Sequence, residues 1–421
     1  MPRQRLITLL ALAIAAVTAC FFFFFFSSTQ TREAWRRIPQ HVGLGEHVAT
    51  GQDVFTAATE DPDYVNWNPR PVFKPGTPMP PGHNYTSVLV IAKTKEENID
   101  WVADKMPHQP VAAYVVNDPN APLHTPKNKG HEVMAYLTWI IDNYDNMPDV
   151  IMFMHAHQQA WHNDDLLDGS NYVMVTRLSR PRVWREGFVN MRCNWSPGCP
   201  DWVHPGNTKE DSGKEEEHVI AKSWSELFPL DEVPSVLSQP CCAQFALSRD
   251  RIQARPHAQY VWYRDWLLNT KLPDRVSGRV WEYIWQFVFT GQNVVCPQEF
   301  LCLCDQYGLC FGGEQGFEDY MVLRNELGDR EGDLRHWRDE KSRFEELEKS
   351  GKEPDENGTF WNPMGDKIEA PDPEIGKELQ KEVDRLTFMV AKMKADAEEK
   401  GKDPKHRAFE AGREWREGDG I

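Results

Sequence analysis

The sequence predicts an α/β fold with a Rossmann-like, mostly parallel sheet and helices on both faces. Three short apolar runs, at residues 87–92, 111–116 and 150–154, are typical of buried strands. Apolar residues at helical spacing fill the segments between them, which gives the order strand, helix, strand, helix, strand. That order is typical of parallel strands joined by right-handed crossovers.

The other elements of the predicted domain follow from the same patterns. A first helix is expected over residues 96–106 and a second between Gly130 and Asn146. A fourth strand is expected over residues 241–247, where Ser248 can cap a helix that begins at Arg249. Two further helices are expected over residues 257–268 and 277–289. No glycine-rich phosphate motif follows the first three strands, which disfavours an ordinary dinucleotide or P-loop site.

The composition changes beyond Phe317 to Glu, Lys, Arg and Asp. Residues 318–349 and Pro373–Lys400 are expected to form exposed helices with mixed charges. Residues 317–421 are therefore expected to be a charged, helical and partly disordered tail. An α/β catalytic domain is expected over residues 84–316.

The first 83 residues predict a membrane tether followed by a stem. Residues 6–26 carry no charge and are long enough to cross a bilayer, and the arginines before them favour cytoplasmic residues 1–5. A cleaved signal peptide is the alternative. Residues 27–83 contain a Pro-rich run and are expected to form an extended stem. The prediction is a single-pass type II membrane protein of the secretory pathway, with its bulk on the Golgi or ER lumen side.

Cysteine usage agrees with that compartment. Eight cysteines lie beyond the apolar segment, and an even number fits disulfide pairing under oxidising conditions. Adjacent Cys241 and Cys242 are each expected to have a distant partner, because a bond between neighbours strains the chain. A zinc site is the alternative for the last four cysteines: Cys296, Cys302, Cys304 and Cys310. Glycosylation sequons begin at Asn84, Asn194 and Asn357.

The main candidate site lies at the carboxyl end of the third strand. His155 and His157 are two residues apart, so strand alternation is expected to point both imidazoles the same way. His162, Asp164 and Asp165 follow shortly afterwards. Ligands of open α/β sheets bind at this edge. The formal net charge of −17 disfavours nucleic acid as a partner.

Two long motifs carry a resemblance to a known family. One runs from NKGHE at Asn128 through YLTWIIDNYDNMPD to FMHAHQQAWHND, and the other runs from CCAQFALSR at Cys241 to SGRVWEYIW. Together they resemble a family, mostly from filamentous fungi, that is known only as a domain of unknown function. The resemblance covers residues 88–310 and implies no activity by itself. The family is distantly similar to GT-A glycosyltransferases, which usually place a D-x-D motif where this chain has His155-Ala-His157.

The distant similarity to GT-A glycosyltransferases, rather than the family itself, implies a lumenal glycosyltransferase-like enzyme that transfers a sugar from a nucleotide-sugar to a glycan or glycoprotein. Glu282 or Asp165 is the expected catalytic base. Contacts to the nucleotide-sugar are expected from Asp118, Lys127, Asn128 and Lys129. A divalent metal, manganese or zinc, is expected on His155, His157, His162 and Asp164, unless the histidines contact the phosphates directly.

Two alternatives remain open at this stage. One is a zinc-dependent hydrolase that uses the H-x-H-x4-H cluster, since histidines suit zinc better than manganese. The other is a non-catalytic lumenal binding protein that keeps the fold.

Overall fold

The computed structural model describes residues 71–417 except 78, 208, 210, 212, 352, 354, 357 and 362–366. The predicted cytoplasmic residues 1–5, the anchor at 6–26, most of the stem and the sequon residue Asn357 lie outside the described residues. Within the described ranges, no helix combines the length and the apolar character needed to span a bilayer.

A five-stranded sheet forms the centre of the fold. Its strands are β1 Ser87–Lys93, β2 Val111–Val115, β3 Val150–His155, β4 Phe188–Asn190 and β5 Phe245–Ser248. They lie in the order β2-β1-β3-β5-β4. β1 pairs in parallel with β2 and β3, whereas β5 is antiparallel to both β3 and β4. The prediction of a mixed α/β fold with a mostly parallel sheet is therefore confirmed.

Thirteen α-helices occur among the described residues. They are α1 Asp100–Lys105, α2 Glu132–Asn143, α3 Asn171–Arg177, α4 Arg180–Glu186, α5 Glu217–Leu227, α6 Arg249–Gln253, α7 His257–Asn269, α8 Asp274–Glu282, α9 Trp285–Thr290, α10 Glu299–Tyr307, α11 Glu314–Lys349, α12 Pro373–Lys400 and α13 Pro404–Glu410. A small hairpin of β6 Phe360–Trp361 and β7 Lys367–Ile368 lies between α11 and α12.

Helices cover both faces of the sheet, so alternate strand residues enter two different cores. Phe153 packs in one core with Tyr136 of α2 and Trp285 of α9. Met152 and Met154 enter the second core, with residues of α3, α4 and α10. Every residue of β3 before its last is buried, which explains why this strand is apolar without a break.

Two sequence predictions need correction in their boundaries, and one strand was not predicted. The helix expected over 277–289 is two helices, since α8 ends at Glu282 and α9 begins at Trp285. The strand expected from Cys241 begins only at Phe245, because the preceding residues form a turn. The strand β4 lies in a segment where no strand was predicted. Ser248 does cap α6, accepting a hydrogen bond from the backbone of Arg251.

The charged tail packs against the α/β domain. Its two long helices, α11 and α12, contact each other, and Ala397 of α12 is buried and accepts a hydrogen bond from the Cys310 backbone. Arg177 of α3 forms an ion pair of 2.7 Å with Glu398. The two long helices lie where helices were expected, and the described residues from Pro71 onward, tail included, belong to one compact unit.

All eight cysteines beyond the apolar segment form disulfides, which confirms that part of the sequence prediction. The pairs are Cys193–Cys302, Cys199–Cys296, Cys241–Cys242 and Cys304–Cys310. A disulfide sulfur is not the thiolate that zinc requires, so the alternative zinc site in the last four cysteines is excluded.

The Cys193–Cys302 and Cys199–Cys296 bonds are nested, with sequence separations of 109 and 97 residues. If one pair is replaced by alanine, the other still closes nearly the same loop. Only a ring of about 12 residues then opens, and we expect a loss of about 3 kcal/mol in the free energy of unfolding. Replacing both pairs also opens a loop of about 100 residues, so the expected loss is about 8 kcal/mol. Urea unfolding of the three variants measures this, and a double loss no larger than twice the single loss would contradict it.

Candidate active site at the carboxyl edge of the sheet

The reversed strand β5 brings two distant segments together at one edge of the sheet. β1, β2 and β3 end at this edge, whereas β5 begins there. Residues 241–244, which lead into β5, therefore lie beside the end of β3. Ligands of α/β sheets bind at this edge, where connections leave neighbouring strands in opposite directions, as they do around β1 in the order β2-β1-β3.

His155, the last residue of β3, is held by the segment before β5. Its Nε2 donates to the carbonyl oxygen of Cys242 at 2.7 Å, and its backbone nitrogen donates to Oε1 of Gln244 at 3.0 Å. Burial lowers the pKa of His155, so the imidazole is neutral near pH 7. A carbonyl can only accept, so Nε2 carries the proton and Nδ1 keeps its lone pair.

A disulfide joins the neighbours Cys241 and Cys242, so the expectation of distant partners was wrong. The chain accommodates the bond in a turn with left-handed φ angles of 88° at Cys242 and 48° at Ala243. While its carbonyl oxygen accepts from His155, the backbone nitrogen of Cys242 donates to Oε1 of Glu282 at 2.8 Å. One peptide residue thus connects a histidine on β3 with a carboxyl group on α8.

Glu282 is the last residue of α8 and has an unusual protonation behaviour. Burial raises its pKa to about 7, the hydrogen bond from Cys242 opposes that rise, and the nearby Glu132 adds to it. A carboxyl group with this pKa can take up and release a proton near neutral pH, as a general base must. The predicted base therefore lies at the sheet edge, in contact with the turn that holds His155.

A second carboxyl group, that of Glu132, lies at the start of α2. Burial raises its pKa as well. The ends of α2 and α8 approach closely because Gly278 has no side chain, and a Cβ there would lie 2.6 Å from Cδ2 of His131. His131 itself has a left-handed φ of 50°, and Asp274 accepts a hydrogen bond from the backbone of Gly130. The close approach is what allows Glu132 to act on Glu282.

His162 stacks on His155, with ring centroids 4.9 Å apart and the planes tilted by 31°. Burial and, to a smaller extent, His155 and Arg192 lower its pKa to about 4. Its Nδ1 is buried and has no hydrogen-bond partner among the described residues. Trp161 stacks on the same imidazole at 4.3 Å. The three rings form a continuous stack that begins at the end of β3.

His157 does not join this stack. β3 ends at His155, so the alternation used to place both imidazoles on one side does not extend to His157. Its Nε2 lies 3.6 Å from Oε1 of Glu97, and 61% of its side chain is exposed. The structure therefore brings together His155 and His162 but directs His157 to a different partner.

Asp164 and Asp165 support the loop that follows the stack. Asp164 is buried and its carboxylate accepts hydrogen bonds from the backbones of Leu166, Cys193 and Asn194, at 2.8–3.1 Å. Burial raises its pKa. Asp165 forms an ion pair of 2.7 Å with Arg324 of α11. Both carboxylates are engaged in holding structure, although the sequence suggested a metal ligand and a catalytic base.

The residues predicted to contact a nucleotide-sugar lie in the long loop between β2 and α2. Asp118 forms an ion pair of 3.2 Å with Lys95, and its carboxylate also accepts from the backbone of Asn120. Lys129 donates to the carbonyl oxygens of Thr270 and Leu272, so it fastens the loop before α2 to the segment before α8. The other two members of the predicted set, Lys127 and Asn128, are exposed.

The four residues predicted to hold a metal do not form a ligand set. His155 Nε2 and the Asp164 carboxylate are occupied by backbone groups, and His157 lies against Glu97. Among the described residues, two groups of three potential ligands lie within 4.8 Å: Cys241, Cys242 and Glu282, and Cys304, Cys310 and Glu410. In each group two sulfurs are disulfide-bonded and cannot bind as thiolates. We therefore derive no catalytic step through a metal.

Sequence reasoning missed several residues of the site. The vicinal disulfide depends on a left-handed turn, and Gln244 and Glu132 reach the site only through the packing of distant segments. One signal was present in the sequence: the glycine in Ser277-Gly278 interrupts a helical pattern, and such a glycine usually marks a close approach.

The chain belongs to the family described as "Protein of unknown function (DUF3431)", whose model matches residues 89–305. The match spans β1 to α10 and contains His155 and His162, the vicinal disulfide, and the carboxyl groups of Glu132 and Glu282. The comparisons with curated proteins and with solved structures gave no match.

The raised pKa of Glu282 makes a prediction about stability. A carboxyl group whose pKa rises from an unfolded value of about 4.5 to about 7 stabilises the fold below pH 4.5, and this contribution disappears as the pH rises to 7. Glu282→Gln stays neutral and keeps an acceptor for Cys242. We expect its free energy of unfolding, relative to the wild type, to increase by about 3 kcal/mol between pH 4.5 and pH 8.

Urea unfolding at the two pH values measures this difference. Glu318→Gln, at an exposed position on α11, is the matched control and should follow the wild type. A constant difference between Glu282→Gln and the wild type at both pH values would contradict the prediction.

Proposed function

We propose that this protein is a glycosyltransferase-like enzyme in which Glu282 is the base that activates the acceptor hydroxyl. The observation that carries the proposal is the partly buried Glu282 carboxyl group, with a pKa of about 7, fixed by Cys242 beside His155 at the ligand-binding edge of the sheet. A base of this strength suits proton removal from a sugar hydroxyl near neutral pH.

In the proposed reaction, Glu282 accepts the proton of the acceptor hydroxyl group. The oxygen of that hydroxyl group attacks the anomeric carbon of the donor. The bond from that carbon to the phosphate oxygen breaks, and the nucleoside diphosphate leaves with the bonding electrons. Neutral His155 offers Nδ1 as a hydrogen-bond acceptor that can orient a second hydroxyl group. The hydrogen bond from Cys242 fixes the position of the Glu282 carboxylate.

The charge of a donor diphosphate requires cations, and the two stacked histidines are neutral near pH 7. Lysines at the end of β1 and in the loops after β1 and β2 offer such cations instead. Lys93 ends β1, Lys95 lies in the loop after it, and Lys127 is exposed in the loop after β2. We place the nucleotide-sugar over β1 and β2, where Lys95 also contacts Asp118. Lys129 is not needed as a phosphate contact in this arrangement, because its Nζ donates to the carbonyl oxygens of Thr270 and Leu272.

The proposed location is the lumen of the secretory pathway, in the ER or Golgi, with residues 6–26 as a type II membrane anchor. Pairing of all eight cysteines beyond that segment supports an oxidising compartment. The proposed acceptor is a glycan or glycoprotein. A zinc hydrolase has less support, because His157 lies against Glu97, and His155, His157 and His162 are not among the described groups of three potential ligands within 4.8 Å of one another.

Release of nucleoside diphosphate from UDP- and GDP-sugars, with a panel of glycan acceptors, tests the proposal. We expect kcat to rise with pH through about 7, as Glu282 loses its proton. Glu282→Gln should lower kcat by about 10²–10⁴-fold, whereas Glu318→Gln should leave it unchanged. Glu132→Gln should move the pH midpoint downward, because it removes a negative charge that raises the pKa of Glu282.

Three outcomes would contradict this assignment. Turnover of Glu282→Gln at the wild-type rate would show that Glu282 is not the base. Stoichiometric zinc in the purified protein, with hydrolysis that chelators abolish, would favour the hydrolase. Neither turnover nor thermal stabilisation by any nucleotide-sugar would favour a non-catalytic binding protein.

A further inference from the structure

Trp161 is a large apolar residue held in an exposed position, with 68% of its surface accessible. It lies one residue before His162 and stacks on that ring at 4.3 Å. His162 in turn stacks on His155 at the end of β3. The indole is therefore the outermost ring of the stack, and the innermost ring, His155, donates to the carbonyl oxygen of Cys242.

The backbone that carries Trp161 is fixed by buried polar side chains. Arg192 is buried and donates from Nη1 to the carbonyl oxygen of Trp161 at 3.1 Å and from Nη2 to that of Ser196 at 2.6 Å. Buried charged groups are costly unless they are well bonded, so this contact is a specific structural feature. It fixes the start of the loop from the inside of the protein.

The other end of the loop is fixed in the same way. Asn163 is buried, and its amide donates to the carbonyl oxygen of Gly169 at 2.8 Å. Its Oδ1 accepts from Nε2 of the fully buried Gln244 at 3.0 Å, and Gln244 also accepts from the backbone of His155. A chain of hydrogen bonds thus connects His155 through Gln244 to Asn163 in the loop. A rigid, exposed aromatic ring loses little conformational entropy when it binds a ligand.

The surrounding charges indicate the kind of ligand. His155 and His162 are neutral near pH 7. The guanidinium of Arg192 is directed to the carbonyl oxygens of Trp161 and Ser196, and the exposed His157 pairs with Glu97. Glu97 and Glu132 act electrostatically on His155 and on Glu282. Carboxylates repel a diphosphate but accept hydrogen bonds from hydroxyl groups. The negative face of an indole also attracts the weakly positive C–H hydrogens of a sugar ring.

We propose that Trp161, backed by His162, is the binding platform for a neutral saccharide ring. The inference deepens the proposed function and rests on it in one respect, because it assigns that saccharide as the acceptor. The donor then lies on the lysine-bearing side, over β1 and β2. The acceptor lies on the ring stack and carries its hydroxyl group towards Glu282.

Saturation-transfer NMR titrations of the full-length protein in detergent test the platform directly. The probes are methyl α-mannoside, methyl β-galactoside, chitobiose and UDP. We expect at least one saccharide to bind the wild type, Trp161→Ala to weaken it by about tenfold or more, and Trp161→Phe to retain most of the affinity. Trp262→Ala is the matched control, since Trp262 on α7 is 51% exposed, and it should bind like the wild type.

Four outcomes would contradict the proposal that Trp161 is a saccharide-binding platform. These outcomes are no saccharide binding by the wild type, equal affinity in Trp161→Ala, an equal loss in Trp262→Ala, or a loss of UDP binding alone. Thermal unfolding of the variants shows that they are folded. If saccharide binding depends on Trp161 but no sugar is transferred, the platform stands and the transferase proposal fails. If transfer occurs and Trp161→Ala keeps the acceptor KM, the platform fails and the transferase stands.

Discussion

The backbone of Cys242 is the contact on which the geometry of the site depends. Its carbonyl oxygen accepts from His155 and its nitrogen donates to Glu282, so it spans the end of β3 and the end of α8. The contact exists because β5 runs against β3 and so begins where β3 ends. The disulfide to Cys241 and the left-handed φ angles at Cys242 and Ala243 fix the orientation of these polar groups. Two local features and one reversed strand therefore assemble residues that are far apart in sequence.

Burial then sets the charge state of that assembly. It lowers the pKa values of His155 and His162 and raises those of Glu132 and Glu282. Near neutral pH the histidines are uncharged, and a small change in pH changes the charge of Glu282. Cations lie instead in the loops after β1 and β2. Lys95 shares its loop with Glu97 and pairs with Asp118, whereas the two neutral histidines lead outward to the exposed Trp161.

The sequence predicted the parts of the fold that depend on local patterns. The apolar runs gave β1, β2 and β3 within one or two residues, and Ser248 marked the start of α6. The direction of β5 is set by tertiary packing and leaves no local signal, so its role at the edge was not predictable. The vicinal disulfide was judged by its strain, but a turn at positive φ accommodates it. His157 was misplaced because the strand ends two residues earlier than alternation requires.

The protonation of Glu282 in the folded protein tests the account most directly. Isotope-edited infrared or 13C NMR titration of the glutamate carboxyl groups, with Glu282→Gln used to assign the signal, gives the pKa of this one residue. The account predicts a titration midpoint near 7, which falls when Glu132 is replaced by glutamine. A midpoint at the ordinary glutamate value of about 4.5 would contradict it, since a carboxyl group that is already fully ionised near neutral pH would not take up and release a proton there.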